Sequence, residues 1–336
     1  MGQRVTLRDL AKAAKLARST VSIALRNSPL VAEATRRRVQ ELAASMGYRP
    51  DPEREIFGRR LRRGEGAREV PLAFISYNAG NTVGSEWGNG RALERVARSR
   101  GYHLGFYPCG EYPCDQELDR ILYNRGTKGI ILGRTLPFHP EPQLTWDRYA
   151  VVAVSWPNLD CPFHMVYNDS LAAVSLAVEQ VQALGYRRIG MSLFNQQSGV
   201  MEDFIRRCAI AKISKDLLAQ GMGVPPMVED VESHKAFLRW IKRHKPDCVI
   251  GGNPLVGQFL VNSGIQIPRD MGYASLNGGT PDGCAGCAVT PDEVARAAID
   301  LIDTLLRRGE NGMPEVRYDL LIEPRWVPGP TLRPQP

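Results

Sequence analysis

The side chains best placed to do chemistry in this sequence are rings, amides and a carboxylate that stand directly after short apolar runs. Tyr77 and Asn78 follow Leu72-Ala73-Phe74-Ile75, Trp156 follows Val151-Val152-Ala153-Val154, and Asp169 follows the segment around Val166. Phe194 closes Arg188-Ile189-Gly190-Met191-Ser192-Leu193, Asn253 comes after Cys248-Val249-Ile250-Gly251, and Asn277 after Gly272-Tyr273-Ala274-Ser275-Leu276. Aromatic faces beside amide and carboxylate edges suit a neutral polyhydroxyl ligand, whose C–H faces stack while its hydroxyls find donors and acceptors. Bond-making chemistry has less support. The five histidines (His103, His139, His164, His234, His244) lack obvious partners, and neither a Ser/His/Asp set nor a His-Glu-x-x-His signature can be assembled. Gly84-Ser85-Glu86-Trp87-Gly88 and Gly278-Gly279 miss the spacing of phosphate and dinucleotide loops. Cys284-Ala285-Gly286-Cys287 has metal-ligand spacing but no second half, and the seven cysteines are an odd, scattered set, so they read as reduced thiols. No enzyme activity, metal or cofactor is expected.

Those apolar runs must be strands, because Gly129-Ile130-Ile131-Leu132 and the others are short, rich in branched residues and separated by helical stretches at about 87–100, 170–184, 202–219 and 292–307. Alternating strands and helices imply doubly wound parallel sheets, and about 265 residues from Val70 onward suit two such sheets facing across a cleft. Ligands bind such sheets at the carboxyl ends of the strands, where the residues named above lie.

The 336 residues, 43% apolar and 24% charged, are ordinary globular material, so disorder and fibrous repeats are excluded. No apolar run of about 18 residues occurs and Met1-Gly2-Gln3-Arg4-Val5-Thr6 lacks a signal core, so the expectation is a cytoplasmic protein with no membrane partner. The net charge of +7 is unevenly placed. Residues 1–69 hold 16 Lys and Arg against 8 Asp and Glu, leaving 27 against 28 for the remainder. A small basic segment on a near-neutral body is the footprint of a nucleic-acid binder, since displacing counterions from phosphates takes concentrated positive charge. Within it, Leu7, Leu10, Ala11 and Ala14 mark a short helix over 6–14, Val21, Ala24 and Leu25 a second, and Val39, Leu42, Ala43 and Met46 a third from about 32 to 46. Three short helices on a tiny core describe either a helix-turn-helix unit or a plain helical cap.

The residues themselves narrow that choice. Val5-Thr6-Leu7-Arg8-Asp9-Leu10-Ala11-Lys12-Ala13-Ala14, Thr20-Val21-Ser22, Ala34-Thr35-Arg36-Arg37-Arg38-Val39 and Met46-Gly47-Tyr48-Arg49-Pro50-Asp51 closely resemble the DNA-binding head of the lactose-repressor (LacI/GalR) family. The resemblance implies that the second helix enters the major groove with Arg18 and Ser19 at base edges, while Thr6, Thr20, Ser22 and Arg49 bond phosphates. Two positions depart from the family. Ile23 stands where an arginine often reads guanine, leaving it to touch a thymine methyl or simply to pack, and Lys15 replaces the usual turn glycine. The charge-dense stretch 51–69 corresponds to the family's hinge, whose helix inserts an apolar wedge into the minor groove. Phe57 falls at the wedge position, with Leu61 as the alternative register; otherwise the stretch is a plain charged linker.

Val166-Tyr167-Asn168-Asp169, Leu184-Gly185-Tyr186-Arg187-Arg188-Ile189-Gly190, Gly264-Ile265-Gln266-Ile267-Pro268 and Trp326-Val327-Pro328-Gly329-Pro330-Thr331 extend the resemblance into the family's effector-binding core, which shares the periplasmic sugar-binding fold. It implies that Asp169 and Asn277, the latter usually aspartate, contact a small-molecule effector, with an arginine from Arg206 or Arg207, while Pro254 replaces a common aspartate. The division expected is a head over 1–50, a hinge over 51–69 and a body over 70–336. Within the body, one subdomain takes about 70–165 plus 284–316 and the other about 166–283 plus 317–332. The implied protein is a homodimeric repressor on double-stranded operator DNA, governed by a carbohydrate effector. Two-fold symmetry is required because one head makes too few base contacts. A regulator of the same fold without an effector, and an enzyme on the doubly wound body, are the alternatives.

Overall fold

In a computed structural model the chain forms two compact units, residues 1–68 and 69–336. The structure describes residues 7–25, 31–46, 69–76, 90–112, 114–133, 142–154, 160–193, 201–228, 234–252, 254–278, 283–288 and 290–335.

The first unit contains helices α1 (Leu7–Ala14), α2 (Arg18–Leu25) and α3 (Glu33–Ser45). Leu10, Ala11, Ala14, Val21, Ala24, Val39 and Ala43 are buried together, with Leu16, Leu25, Val31, Leu42 and Met46 packed around them. The tight turn between α1 and α2 depends on Lys15, which sits in the left-handed region at φ 54°. The Leu16 amide donates to Ala11 O at 3.1 Å and the Lys15 amide to Lys12 O at 3.3 Å. This paired closure satisfies carbonyls that a helix end leaves orphaned. A further one is taken by Arg38 of α3, which donates to Ala14 O at 2.9 Å.

The second unit runs β1 (Val70–Ser76), α4 (Gly90–Ser99), β2 (Tyr102–Pro108), α5 (Asp115–Asn124), β3 (Gly129–Leu132), β4 (Ala150–Val154) and β5 (His164–Asn168). It continues α6 (Ser170–Ala183), β6 (Ile189–Leu193), α7 (Met201–Ala219), β7 (Met227–Val228), α8 (His234–His244), β8 (Cys248–Gly251), α9 (Pro254–Asn262) and β9 (Gly272–Gly278). Last come β10 (Gly286–Ala288), α10 (Pro291–Arg308), β11 (Asp319–Ile322) and β12 (Arg325–Val327). Two six-stranded sheets result, ordered β11-β5-β4-β3-β1-β2 and β12-β10-β9-β8-β6-β7. All described pairings are parallel except β12 against β10. Both faces of each sheet are covered, so the strands read as continuous apolar runs. Leu72 and Phe74 of β1 join one core with α4 and α10, while Ala73 and Ile75 join another with α5, as the two-residue strand period requires.

The two sheets exchange chain three times, and the exchanges correct the expected subdomain limits. β5 stays in the first sheet through Asn168, past the expected break at 165; β10 keeps residues to 288 in the second sheet, past 284; β11 returns residues 319–322 to the first, past 317. The reason is that each crossing occurs where a strand's carboxyl end meets the next element's start, which apolar periodicity does not mark. Gly286 begins β10 at φ 157°, and a Cβ there would collide with the Ser275 carbonyl oxygen, so the approach of β10 to β9 requires glycine. The Cys284 and Cys287 side chains enter different cores, with Met271 and Tyr273 in one case and Ala173 and Met191 in the other. Their divergence prevents the pair from gripping one metal ion. Burial raises the Cys287 thiol to about 11 and pushes Cys248 well above its ordinary value.

Candidate functional site

Two strand ends of the second sheet and the start of α7 build a polar cluster. β9 delivers Asn277, whose amide N–H donates to the Ser275 hydroxyl at 3.1 Å and whose side-chain nitrogen donates to Gly252 O at 3.0 Å, just beyond β8. With its NH2 committed there, the side-chain oxygen of Asn277 faces Arg206, which donates to it at 2.8 Å. Arg206 also meets the Glu202 carboxylate at 2.6 Å, and the two side chains are only 3% and 4% exposed. Glu202 and Arg206 are one helical turn apart with the acid nearer the amino terminus, the favourable sense for such a pair and for the helix dipole. A buried guanidinium requires both a counter-charge and oriented acceptors, and Glu202 and Asn277 supply them. Ile205, between the pair, packs against the core of the first sheet that includes Ile75, Leu132 and Tyr167. The start of α7 therefore lies between the two sheets.

The chain exchanges are held together beside this cluster. Asp169 caps α6, its carboxylate accepting from the Ala172 amide at 2.9 Å, and its own amide donates to Ile322 O at 2.9 Å. The Thr290 hydroxyl, at the cap of α10, donates to the Asn168 side chain at 2.6 Å. All three crossings are thus linked by hydrogen bonds around Asn168-Asp169. Arg325 after the third crossing pairs with Glu293 of α10 at 3.1 Å.

Of the two arginines left open by the sequence, Arg206 is the one whose guanidinium reaches Asn277, while Arg207 is half-buried on the same helix. Asp169 is brought to the crossings as a cap. Glu202, Asn168 and Thr290 were missed by sequence reasoning; the four-residue interval from Glu202 to Arg206 was the one available signal. Tyr77, Asn78, Trp156, Phe194 and Asn253 lie outside the described residues. In the head, Thr6, Arg49 and Phe57 also lie outside them, and Arg18, Ser19 and Ser22 are helical residues whose side chains are not described. Thr20 and Ile23 are half-buried on α2, beside the fully buried Val21 and Ala24.

Residues 6–51 match the family model for bacterial regulatory proteins of the lacI family, a span that covers all three helices of the head. The head is therefore similar to that family's DNA-binding domain. The chain is also similar to known transcriptional regulators. Over 227 residues it is 29% identical to the HTH-type transcriptional repressor CytR of Escherichia coli, a match covering 64% of this chain and 63% of that one, so the chain spans somewhat under two thirds of CytR. With the HTH-type transcriptional regulator PtxS of Pseudomonas putida it shares 29% identity over 292 residues, 82% of this chain and 80% of the other. The structure of the transcriptional regulator CelR in complex with cellobiose superposes with a TM-score of 0.59 at 20% identity, covering 98% of this chain and 100% of that one. The shared fold is the helical head with a two-sheet body of the periplasmic-binding-protein type. No helix among the described residues is long and apolar enough to cross a membrane.

Proposed function

We propose that the chain is a sequence-specific DNA-binding regulator of transcription, acting as a homodimeric repressor in the cytoplasm. A sugar or sugar derivative bound between the two sheets would set its occupancy of the operator. The observation that carries this reading is the lacI-family match over the basic three-helix head. The polar cluster between the sheets supports the second half, as does the cellobiose found in the CelR complex. In the head, α2 would present Arg18, Ser19 and Ile23 to base edges, with Thr6, Thr20, Ser22 and Arg49 on phosphates and Phe57 as the minor-groove wedge. In the body, Arg206 and Asn277 would meet the ligand together with Asp169, Tyr77, Asn78, Trp156, Phe194 and Asn253.

Coupling would run through the three crossings, where Asp169, Asn168 and Thr290 tie the sheets together. A ligand that favours one arrangement of the sheets shifts the dimer toward it, and only differential affinity for the two arrangements can do so. Selection of the full chain against random duplex DNA tests the reading. The expected product is a two-fold symmetric site bound with a steep loss of affinity as salt rises. Recovery of no preferred sequence, with a folded head, would overturn it.

A further inference from the structure

We infer that the body carries a second small-molecule site, at the end of the first sheet away from the crossings, and that it takes a single-ring organic cation bearing a hydrogen-bond acceptor on the ring. The site is a cavity of about 440 Å³ under the loop that joins α10 to β11. Val151, near the start of β4, and His164, at the start of β5, both line it. It therefore lies at the amino ends of strands whose carboxyl ends point to the crossings, and it does not depend on a sugar binding between the sheets. The loop is held in shape by its own main chain. Gly309 turns the chain at φ 71° after α10, and the Gly312 amide donates to Tyr149 O at 2.9 Å. Gly312 itself sits at φ 78°, where a Cβ would meet the Asp147 carboxylate.

The polarity of the cavity changes from floor to rim. His164 is only 3% exposed and commits Nδ1 to the Tyr318 amide at 3.0 Å, which places the ring proton on Nε2. That N–H has no hydrogen-bond partner among the described residues, so a buried donor is left for a ligand to satisfy. Burial lowers the His164 pKa, with Glu310 and Asp319 opposing it, so the imidazole is neutral at pH 7 and adds no positive charge. Above it the surface is apolar. Met313, Val316 and Tyr318 are three of the nine large apolar side chains exposed among the described residues, and all three line this one cavity. Such clustering marks surface that a partner would cover. The Tyr318 ring, stacked on His164 at 4.9 Å and 8°, is fixed in direction while half exposed, a platform for a second ring or a cation.

At the rim, both ionised side chains that line the cavity are acids, Glu310 and Glu315, and both are exposed. Arg308 approaches Glu310 at 3.7 Å without lining the cavity, and Glu315 pairs with no base among the described residues. A ligand that fits meets a donor with its inner end, apolar walls with its body and carboxylates with its outer end. The volume is at the low end for ligand sites, which limits the body to one ring and a short chain. An anion would face two carboxylates and no lining base.

The test is calorimetric titration of the full chain with four matched probes: tyramine, tyrosol, phenethylamine and 4-hydroxyphenylacetate. Tyramine carries both the ring hydroxyl and the ammonium group; the others lack the charge, lack the hydroxyl, or reverse the charge. Tyramine is expected to bind about tenfold or more tightly than 4-hydroxyphenylacetate and several-fold more tightly than the other two. Glu315→Lys changes only an exposed side chain and should weaken tyramine by about tenfold while leaving tyrosol nearly unaffected. Absence of saturable tyramine binding, tyramine no tighter than any of its three relatives, or a tyramine affinity unchanged in Glu315→Lys would each overturn the inference. None of these outcomes bears on sugar binding between the sheets.

Discussion

The head and the body are stabilised in different ways. Among the described residues the head closes on seven buried apolar side chains, of which only Leu10, Val21 and Val39 are larger than alanine. The body has four described cores of 11 to 19 buried side chains and, in addition, encloses a complete ion pair. A small core places the head near the size limit for independent stability, so each contact there matters to whether it folds at all. The body has apolar burial in reserve and can hold a costly buried charge pair in position. What the difference teaches is that function in the head depends on keeping a marginal scaffold folded. Function in the body depends on polar geometry that a robust scaffold tolerates.

The sharpest way to break this contrast is Arg206→Ala. It removes the guanidinium that pairs with the buried Glu202 carboxylate and should cost the body about 3–5 kcal/mol, whereas replacing both partners with neutral residues of similar volume should cost far less. Calorimetric unfolding of the two variants measures this, and the head transition should be unmoved in either. Next in size is Leu10→Ala, which empties the centre of the head and should cost about 3 kcal/mol there. That loss should abolish DNA binding while leaving the body's melting and sugar binding unchanged; a parallel drop in the body's melting temperature would contradict the separation.

Lys15→Gly should work in the opposite direction. Lys15 occupies a left-handed turn at φ 54° that glycine adopts without strain, so the substitution should stabilise the head by about 0.5–1 kcal/mol, read from its denaturant midpoint. The smallest effect belongs to His164 in the body. Its Nδ1 accepts from the Tyr318 amide at 3.0 Å, its ring stacks on Tyr318, and burial holds its pKa below the ordinary 6.5, against the opposing pull of Glu310 and Asp319. Since the folded pKa is depressed, the unfolded chain binds more protons at mildly acidic pH. Stability is therefore full above about 6.5 and declines as pH falls toward the folded value. His164→Gln should flatten that decline in urea titrations between pH 7 and 5.

Much of the fold was readable because it is local. The expected third helix at 32–46 is α3 at Glu33–Ser45, and the expected helix at 170–184 is α6 at Ser170–Ala183, because apolar spacing and flanking turn residues fix such elements from within. The crossings were misplaced by three to six residues because what ends a strand there is a hydrogen bond from a distant segment, Thr290 to Asn168 or Asp169 to Ile322. The candidate site was readable by residue type but not by partnership. Asn277 and Arg206 are 71 residues apart, and their contact follows from the sheet order, which no short-range pattern encodes. Glu202 carried an i,i+4 signal, but such pairs are usually solvated, and only its burial beneath the strand ends distinguishes it.

The central claim is that a ligand between the sheets and DNA on the head are thermodynamically linked. The most direct measurement is fluorescence anisotropy of the selected operator duplex against the full chain, with and without a saturating sugar identified by thermal-shift screening of the full chain. Linkage predicts a change in operator affinity of 5- to 150-fold, with the same factor appearing in sugar affinity when operator is present. An operator affinity that is identical with the sugar site empty and filled would contradict the account.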